Sequence, residues 1–284
     1  MSGITSLAQG RARLEIAPAL GGGLVAFVWD GREIMRRGVA NGSPLDLASF
    51  VLLPFCNRIS RGAKARSRIG VDLPVNAVNV DPRHAIHGYG WQAGWSVIEH
   101  NDRSARLVHS YDGYDWPWRY EAEQLFELDE NGFDHRLSLA NRSDSPMPAG
   151  LGLHPYFPRA DAQLDFAASG IWRNDPSGLP EMLEPINELR DWLDDAPLDN
   201  VFVGREGPIT IRWPDHTLRI FPDAELSFVH VYSPHGEDFF CVEPVSHMPN
   251  ALDRSETDSE TGQRWLEPGE EWTVNVRFGV ERTN

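Results

Sequence analysis

Apolar residues in this chain recur at every second position, in short runs cut by Gly, Pro, Asn and Asp. A period of two puts successive side chains on opposite faces of an extended segment, so each run can bury one face while the other meets water or a second layer. Leu14 to Ile16, Leu24 to Trp29, Ala105 to Ser110, Phe133 to Leu139, Ile209 to Trp213, Phe228 to Tyr232 and Trp272 to Phe278 all alternate or carry the β-branched and aromatic residues that strands favour. Helical patterning is scarce. It is expected only over Pro44 to Phe50, over Ile186 to Asp195, and as a turn after Asn250. The acidic stretch Glu181 to Asp195 reads as a solvated excursion between strands. The 21 prolines and 25 glycines fall between the runs rather than in one linker, and no fixed-period repeat is visible. These features predict an all-β protein, one large antiparallel β-sandwich over residues 1–284 with few short helices.

Charge and cysteine content narrow the chemistry. Lys and Arg total 26 against 42 Asp and Glu, a net charge of −16 that argues against holding a phosphate backbone by counterion release. Two cysteines, Cys56 and Cys241, are too few for a disulfide framework or for a four-thiolate metal site within one chain. No run of about 18 apolar residues occurs, and the first residues lack a basic cluster leading into an apolar segment. The expectation is a cytoplasmic protein that binds neither nucleic acid nor membrane. Lys64 is the only lysine, and Arg61-Gly-Ala-Lys-Ala-Arg around it reads as a solvated turn, so Schiff-base catalysis is disfavoured.

Motifs need context before they carry chemistry. Gly21-Gly-Gly-Leu-Val-Ala26 satisfies a loose dinucleotide fingerprint, but Phe27-Val-Trp-Asp-Gly after it reads as a strand entering a turn, not as the helix whose N-terminus would meet a pyrophosphate. Neither a phosphate-cradling Gly-Lys-Ser/Thr loop nor a Gly-x-Ser-x-Gly elbow is present. His84-Ala-Ile-His87 with His154 and Glu243 could be drawn as a metal site, but a spacing of three puts strand residues on opposite faces, and no metal is expected.

Four segments set ionisable groups among Gly, Pro and aromatics: Leu53 to Ile59, Ile86 to Trp91, Gly152 to Phe157 and Phe240 to Val245. Glu243 follows the apolar run Phe239 to Val242 and shares a face with Cys241 and Phe239. A carboxylate there is costly unless it is paired or functional. His154, between Leu153 and Pro155, reads alone as a hydrogen-bonded core histidine.

In their order along the chain these segments resemble the aldose 1-epimerase family, the galactose mutarotases, from near Gly22 to the turn Leu266-Glu-Pro-Gly-Glu270. The resemblance implies the galactose mutarotase-like supersandwich, no cofactor, and a small sugar as substrate. It implies that Arg58, in Asn57-Arg-Ile59, holds sugar hydroxyls and that His87, in His87-Gly88, is a second sugar contact. His154, in His154-Pro-Tyr-Phe157, would be the general acid and Glu243, before Pro244, the general base. Asp199, in Leu198-Asp-Asn-Val-Phe202, would bind ring hydroxyls. Each motif is short, and their shared order carries the likeness. Gly88 is followed by Tyr89 where typical members have a second glycine, which is similar to a less studied bacterial branch of the family.

An acid–base pair suffices for that chemistry. Exchange of α and β anomers needs a proton taken from the C1 hydroxyl and one given to the ring oxygen, rotation about C1–C2, and closure by the reverse transfers. Protonated His154 and ionised Glu243 are expected to support each other's charge, and Trp91 is expected to pack on the sugar ring. Three other chemistries fit parts of the pattern: a glycoside hydrolase using Glu243 and Asp199, a non-catalytic sugar-binding module, and a racemase using Cys56 and Cys241. A hexose-6-phosphate substrate would need further cationic residues near C6.

Overall fold

The computed structural model describes residues 3–283. Among them, an eleven-stranded and an eight-stranded sheet account for most of the chain. The larger runs from the edge strand Thr5–Gln9 through Ala12–Ala17, Gly23–Trp29, Ser49–Leu52, Gly152–Pro158, Phe239–Val245, Phe228–Ser233, Leu198–Val203 and Gly170–Asn174 to Pro180–Pro185. The smaller is centred on the long strands Tyr120–Asp129, Gly132–Asn141 and Glu271–Arg282. Neighbours in both sheets pair antiparallel. The expected all-β sandwich is the observed one, and every strand expected from alternation lies within or overlaps an observed strand.

The alternation decides where the layers meet. Phe27 of the larger sheet packs edge-on against Phe133 of the smaller, with ring centroids 4.8 Å apart, and Phe133 stacks on Phe278 at 4.7 Å. Into this shared core the larger sheet sends Val51, Leu153, Phe157, Phe202, Val229, Val231, Phe240 and Val242. Their sequence neighbours point the other way. Phe50, Leu52, Tyr156, Val201, Phe228, Cys241 and Val245 form a second apolar cluster on the outer face. Strands with two buried faces read as near-continuous apolar runs, so polar residues standing in such a run are conspicuous.

The helical expectations fare worse. Pro44 to Phe50 is a single 3-10 turn, Pro44–Asp46, after which Ser49–Leu52 is a central strand. The turn is closed by reciprocal Ser43 and Asp46 contacts, and the following Ser-Phe-Val-Leu is buried on both faces and pairs instead of coiling. Ile186 to Asp195 is helical only at Trp192–Asp195, and the first part of the acidic excursion, Pro180–Pro185, is an edge strand. After Asn250, which adopts φ +61°, the expected turn is the 3-10 segment Ala251–Asp253. The supposed turn around Lys64 is an α-helix, Ala63–Ile69, ended by Gly70 in the left-handed conformation. Alanine, lysine and arginine are good helix formers and glycine is the usual stop, so that signal was present. No helix among the described residues is long and apolar enough to cross a membrane.

Candidate active site

A cleft of about 430 Å³ opens on the outer face of the larger sheet, a volume suited to a small molecule. Its floor is four adjacent strands. His154 on Gly152–Pro158, Glu243 on Phe239–Val245, His230 on Phe228–Ser233 and Asp199 on Leu198–Val203 all point outward, because each stands one residue away from a side chain committed to the inner core. Register brings them together. His230 lies directly opposite Glu243, and His154 falls between the pairs Gly152–Val245 and Tyr156–Cys241. His154 Nε2 is 3.2 Å from Glu243 Oε1. The imidazole is fixed by Phe50, stacked on it at 4.5 Å, and by His87, edge-on at 5.1 Å.

The rim comes from loops between Leu53 and Trp91. Arg58–Ile59 pairs with Ala85–Ile86, which sets Arg58 beside His87. Both motifs turn on left-handed residues: Asn57 at φ +53°, His87 at φ +62° and Gly88 at φ +70°. Gly88 admits no side chain, since a Cβ would lie 1.9 Å from the Leu53 carbonyl oxygen. The Asn57 side-chain oxygen accepts from the Arg58 backbone N–H at 2.9 Å. The Arg58 guanidinium donates to Asp81 at 2.8 Å and to Asp199 at 3.3 Å. Asp199 is also bonded to His230 Nε2, at 2.8 Å. All five expected residues, Arg58, His87, His154, Asp199 and Glu243, line this one cleft.

Burial governs the charges. It pushes the Glu243 carboxyl up to about 7 and takes His154 down to about 3. The expected pair of mutually supported ions is therefore corrected: burial disfavours the charged form of both groups and drives His154 toward the neutral imidazole. His87 is likewise driven well below the ordinary histidine range by burial. Asp199 behaves oppositely. Burial alone would raise it, but hydrogen bonds and charge from His230 and Arg58 outweigh that and hold it at about 2.

Other expectations change. Trp91 is 1% exposed, stacks on Phe50 at 5.3 Å and donates to the Gly88 carbonyl at 3.0 Å, so it buttresses the shelf under His154 and faces no ligand. The apolar walls are Tyr156, Tyr232 and Phe239. Cys56 and Cys241 are fully buried and burial raises both thiols, which removes the thiolate a racemase would use. His84 is not in the cleft and lies against Asp81.

Sequence reasoning missed three contributors. Asp81 anchors Arg58. Arg36 lays its guanidinium over the Tyr156 ring at 3.9 Å and donates to the carbonyls of Leu45 and Leu47. His230 carried the clearest signal, a histidine at the centre of the apolar strand Phe-Val-His-Val-Tyr.

Comparison with known proteins bears on the family and the fold. The family described as aldose 1-epimerase matches residues 4–279. The uncharacterized protein YphB of Escherichia coli K12 is 31% identical, over 98% of this chain and 99% of its own length. A crystal structure from Escherichia coli K12, provisionally assigned as an aldose 1-epimerase, superposes with a TM-score of 0.88 at 26% identity and covers 99% of both chains. A galactose mutarotase-like protein from Clostridium acetobutylicum shares the fold at a TM-score of 0.86 and 18% identity, over 98% of this chain and 95% of its own. With a family match over nearly its whole length, this chain belongs to the aldose 1-epimerase family.

Proposed function

We propose that the cleft interconverts the α and β anomers of an aldose. The observation that carries this reading is the 3.2 Å contact between Glu243 Oε1 and His154 Nε2 on the cleft floor. Glu243, ionised, takes the proton of the C1 hydroxyl. His154, neutral, presents its Nε2–H to the ring oxygen and gives up that proton as the C1–O5 bond breaks and the C1 carbonyl forms. In the same step the proton taken by Glu243 crosses the 3.2 Å contact to Nε2, so His154 is never left as an imidazolate and the net change is one proton moved from O1 to O5. Rotation about C1–C2 and the reverse transfers close the ring on the other face. A neutral imidazole with a lowered pKa can polarise a substrate oxygen through its N–H, and each transfer is worth about 10²–10⁴-fold. Arg58 and His87 donate to sugar hydroxyls while Asp199 accepts from them.

Polarimetry or proton NMR of the anomeric signals of fresh α-D-glucose, α-D-galactose and L-arabinose tests the reading. Acceleration by the protein, lost in Glu243→Gln with sugar binding retained, is the expected result. A Glu243→Gln variant keeping more than a tenth of the rate would remove the base from Glu243. New reducing ends from a disaccharide would indicate a hydrolase, and saturable binding without acceleration a binding module.

Arg36 favours a second reading within the same reaction. It lines the cleft and pairs with no carboxylate among the described residues. An aldose bearing a phosphate or carboxylate at C6 would supply one. Its signature is faster mutarotation of glucose 6-phosphate or glucuronate than of glucose, a preference lost in Arg36→Gln.

A further inference from the structure

His230 has no role in the acid–base scheme above, yet strand register pairs it directly with the base. Its strand partner, directly opposite, is Glu243. Directly paired residues on one face of an antiparallel sheet hold their Cβ atoms about 4.5–5.5 Å apart. The imidazole is 2% exposed and tethered through Nε2 to Asp199 Oδ1 at 2.8 Å, while Asp199 is itself braced by Arg58. On the side away from Asp199, His230 Nδ1 is buried with no hydrogen-bond partner among the described residues, and so is Glu243 Oε2. A histidine kept only to fill the core would have its polar atoms satisfied or replaced by carbon.

We propose that His230, fixed by Asp199, is a positioning residue that keeps its proton and, by its charge, holds Glu243 in the ionised form that accepts the substrate's proton. The inference rests on Glu243 being the base of the proposed reaction.

The surrounding charges agree. Facing His230 are Asp199 and Glu243 on the two flanking strands, Arg58 on the rim, and the imidazoles of His87 and His154. Burial would strip the proton from His230, and Arg58 opposes it too. The Glu243 and Asp199 carboxylates outweigh both and lift His230 above the ordinary histidine value. His87 and His154 are driven to the neutral form, so neither competes for the positive charge. Seen from Glu243, the charge on His230 acts downward against the burial that raises it. The site thus divides two tasks between two histidines: His154 donates to the substrate, and His230 carries the charge that a donor at the cleft floor cannot keep.

His230→Gln is the informative variant, because the amide nitrogen can still donate to Asp199 while the charge is gone. The wild-type kcat/KM for mutarotation should rise with pH as Glu243 ionises. In the variant that limb should move up by one pH unit or more, making kcat/KM about tenfold lower at pH 6 and converging on wild type by pH 9. An equal loss at every pH would make His230 structural and overturn the proposal. Independently of any variant's folding, ¹H–¹⁵N correlation spectra of the wild-type imidazoles at pH 7 should show His230 doubly protonated and His154 neutral. A neutral His230 there would also overturn it. If the wild type accelerates no aldose, the reaction reading falls, and the spectra still decide the charge on His230.

Discussion

The floor of the cleft and its rim place their side chains by different means. On the floor, His154, Asp199, His230 and Glu243 project from four hydrogen-bonded strands whose opposite faces are locked into the sandwich core. Their directions follow from the pleat, and any drift would drag an inner residue such as Val242 or Val231 out of its packing. On the rim, Arg58 begins one two-residue strand and His87 follows its partner Ala85–Ile86; left-handed backbone at Asn57, His87 and Gly88 sets both, and the Asp81 and Asp199 carboxylates hold Arg58. Strain of that kind persists only where surrounding contacts over-determine it. In the proposed reaction this is a division of labour: paired strands hold the groups that move protons, together with Asp199, and loops fixed by left-handed backbone hold Arg58 and His87, which would grip hydroxyls.

The largest expected effect belongs to the floor. His154→Asn removes the donor from its shelf on Phe50 and should lower kcat by about 10²–10⁴-fold with little change in KM or melting temperature. If KM rises instead while kcat holds, His154 is a binding residue and the division of labour fails.

Gly88→Ala attacks the rim where it is most constrained. The added methyl would meet the Leu53 carbonyl, and φ +70° disfavours any side chain by about 1–2 kcal/mol before the clash is counted. The variant should melt measurably lower and show a raised KM, because His87 and Arg58 would be displaced together. Unchanged melting would mean the loop relaxes without cost and the rim is less constrained than its backbone indicates.

How much of this was legible in the sequence follows the same line. Alternation marks Glu243 within Phe-Cys-Val-Glu-Pro as a carboxylate on a buried face, and the seven runs it names all fall on strands, because the pleat is a property of neighbours in sequence. The rim depends on pairing between segments some thirty residues apart and on positive φ at Asn57 and His87, which short-range patterning does not encode. Arg36 reaches the cleft, and Asp81 the Arg58 guanidinium, only through tertiary folding. The ionisation of His154 was misjudged for a related reason: two opposite charges in sequence-level reasoning attract, whereas the fold places both in a setting where desolvation decides. His230 was legible and overlooked, since Phe-Val-His-Val-Tyr breaks an apolar strand just as the Glu243 segment does.

Arg58→Lys sharpens the rim half of the comparison at smaller scale. The guanidinium fork serves Asp81 and Asp199 at once, and an ammonium reaches as a single point charge. Losing one hydrogen bond to a charged partner, about 1.5 kcal/mol, predicts roughly a tenfold rise in KM with kcat nearly unchanged. A fall in kcat without a change in KM would place Arg58 in the proton-transfer machinery and erase the distinction between floor and rim.

The subtlest prediction concerns stability. Because burial raises the folded-state value of Glu243 to about 7 from an ordinary 4.5, the folded protein binds this proton more tightly than the unfolded chain does. The associated stabilisation is fully present below about pH 4.5 and is lost as pH rises through about 7, where the buried carboxylate must be ionised without full compensation. Glu243→Gln carries no such ionisation. Its melting temperature relative to wild type should therefore increase between pH 5 and pH 8, the variant gaining at the pH where it has lost its catalysis. A difference that stays flat across that window would mean that His230 and Arg58 already compensate the carboxylate fully, and that the floor stores none of the strain its burial implies.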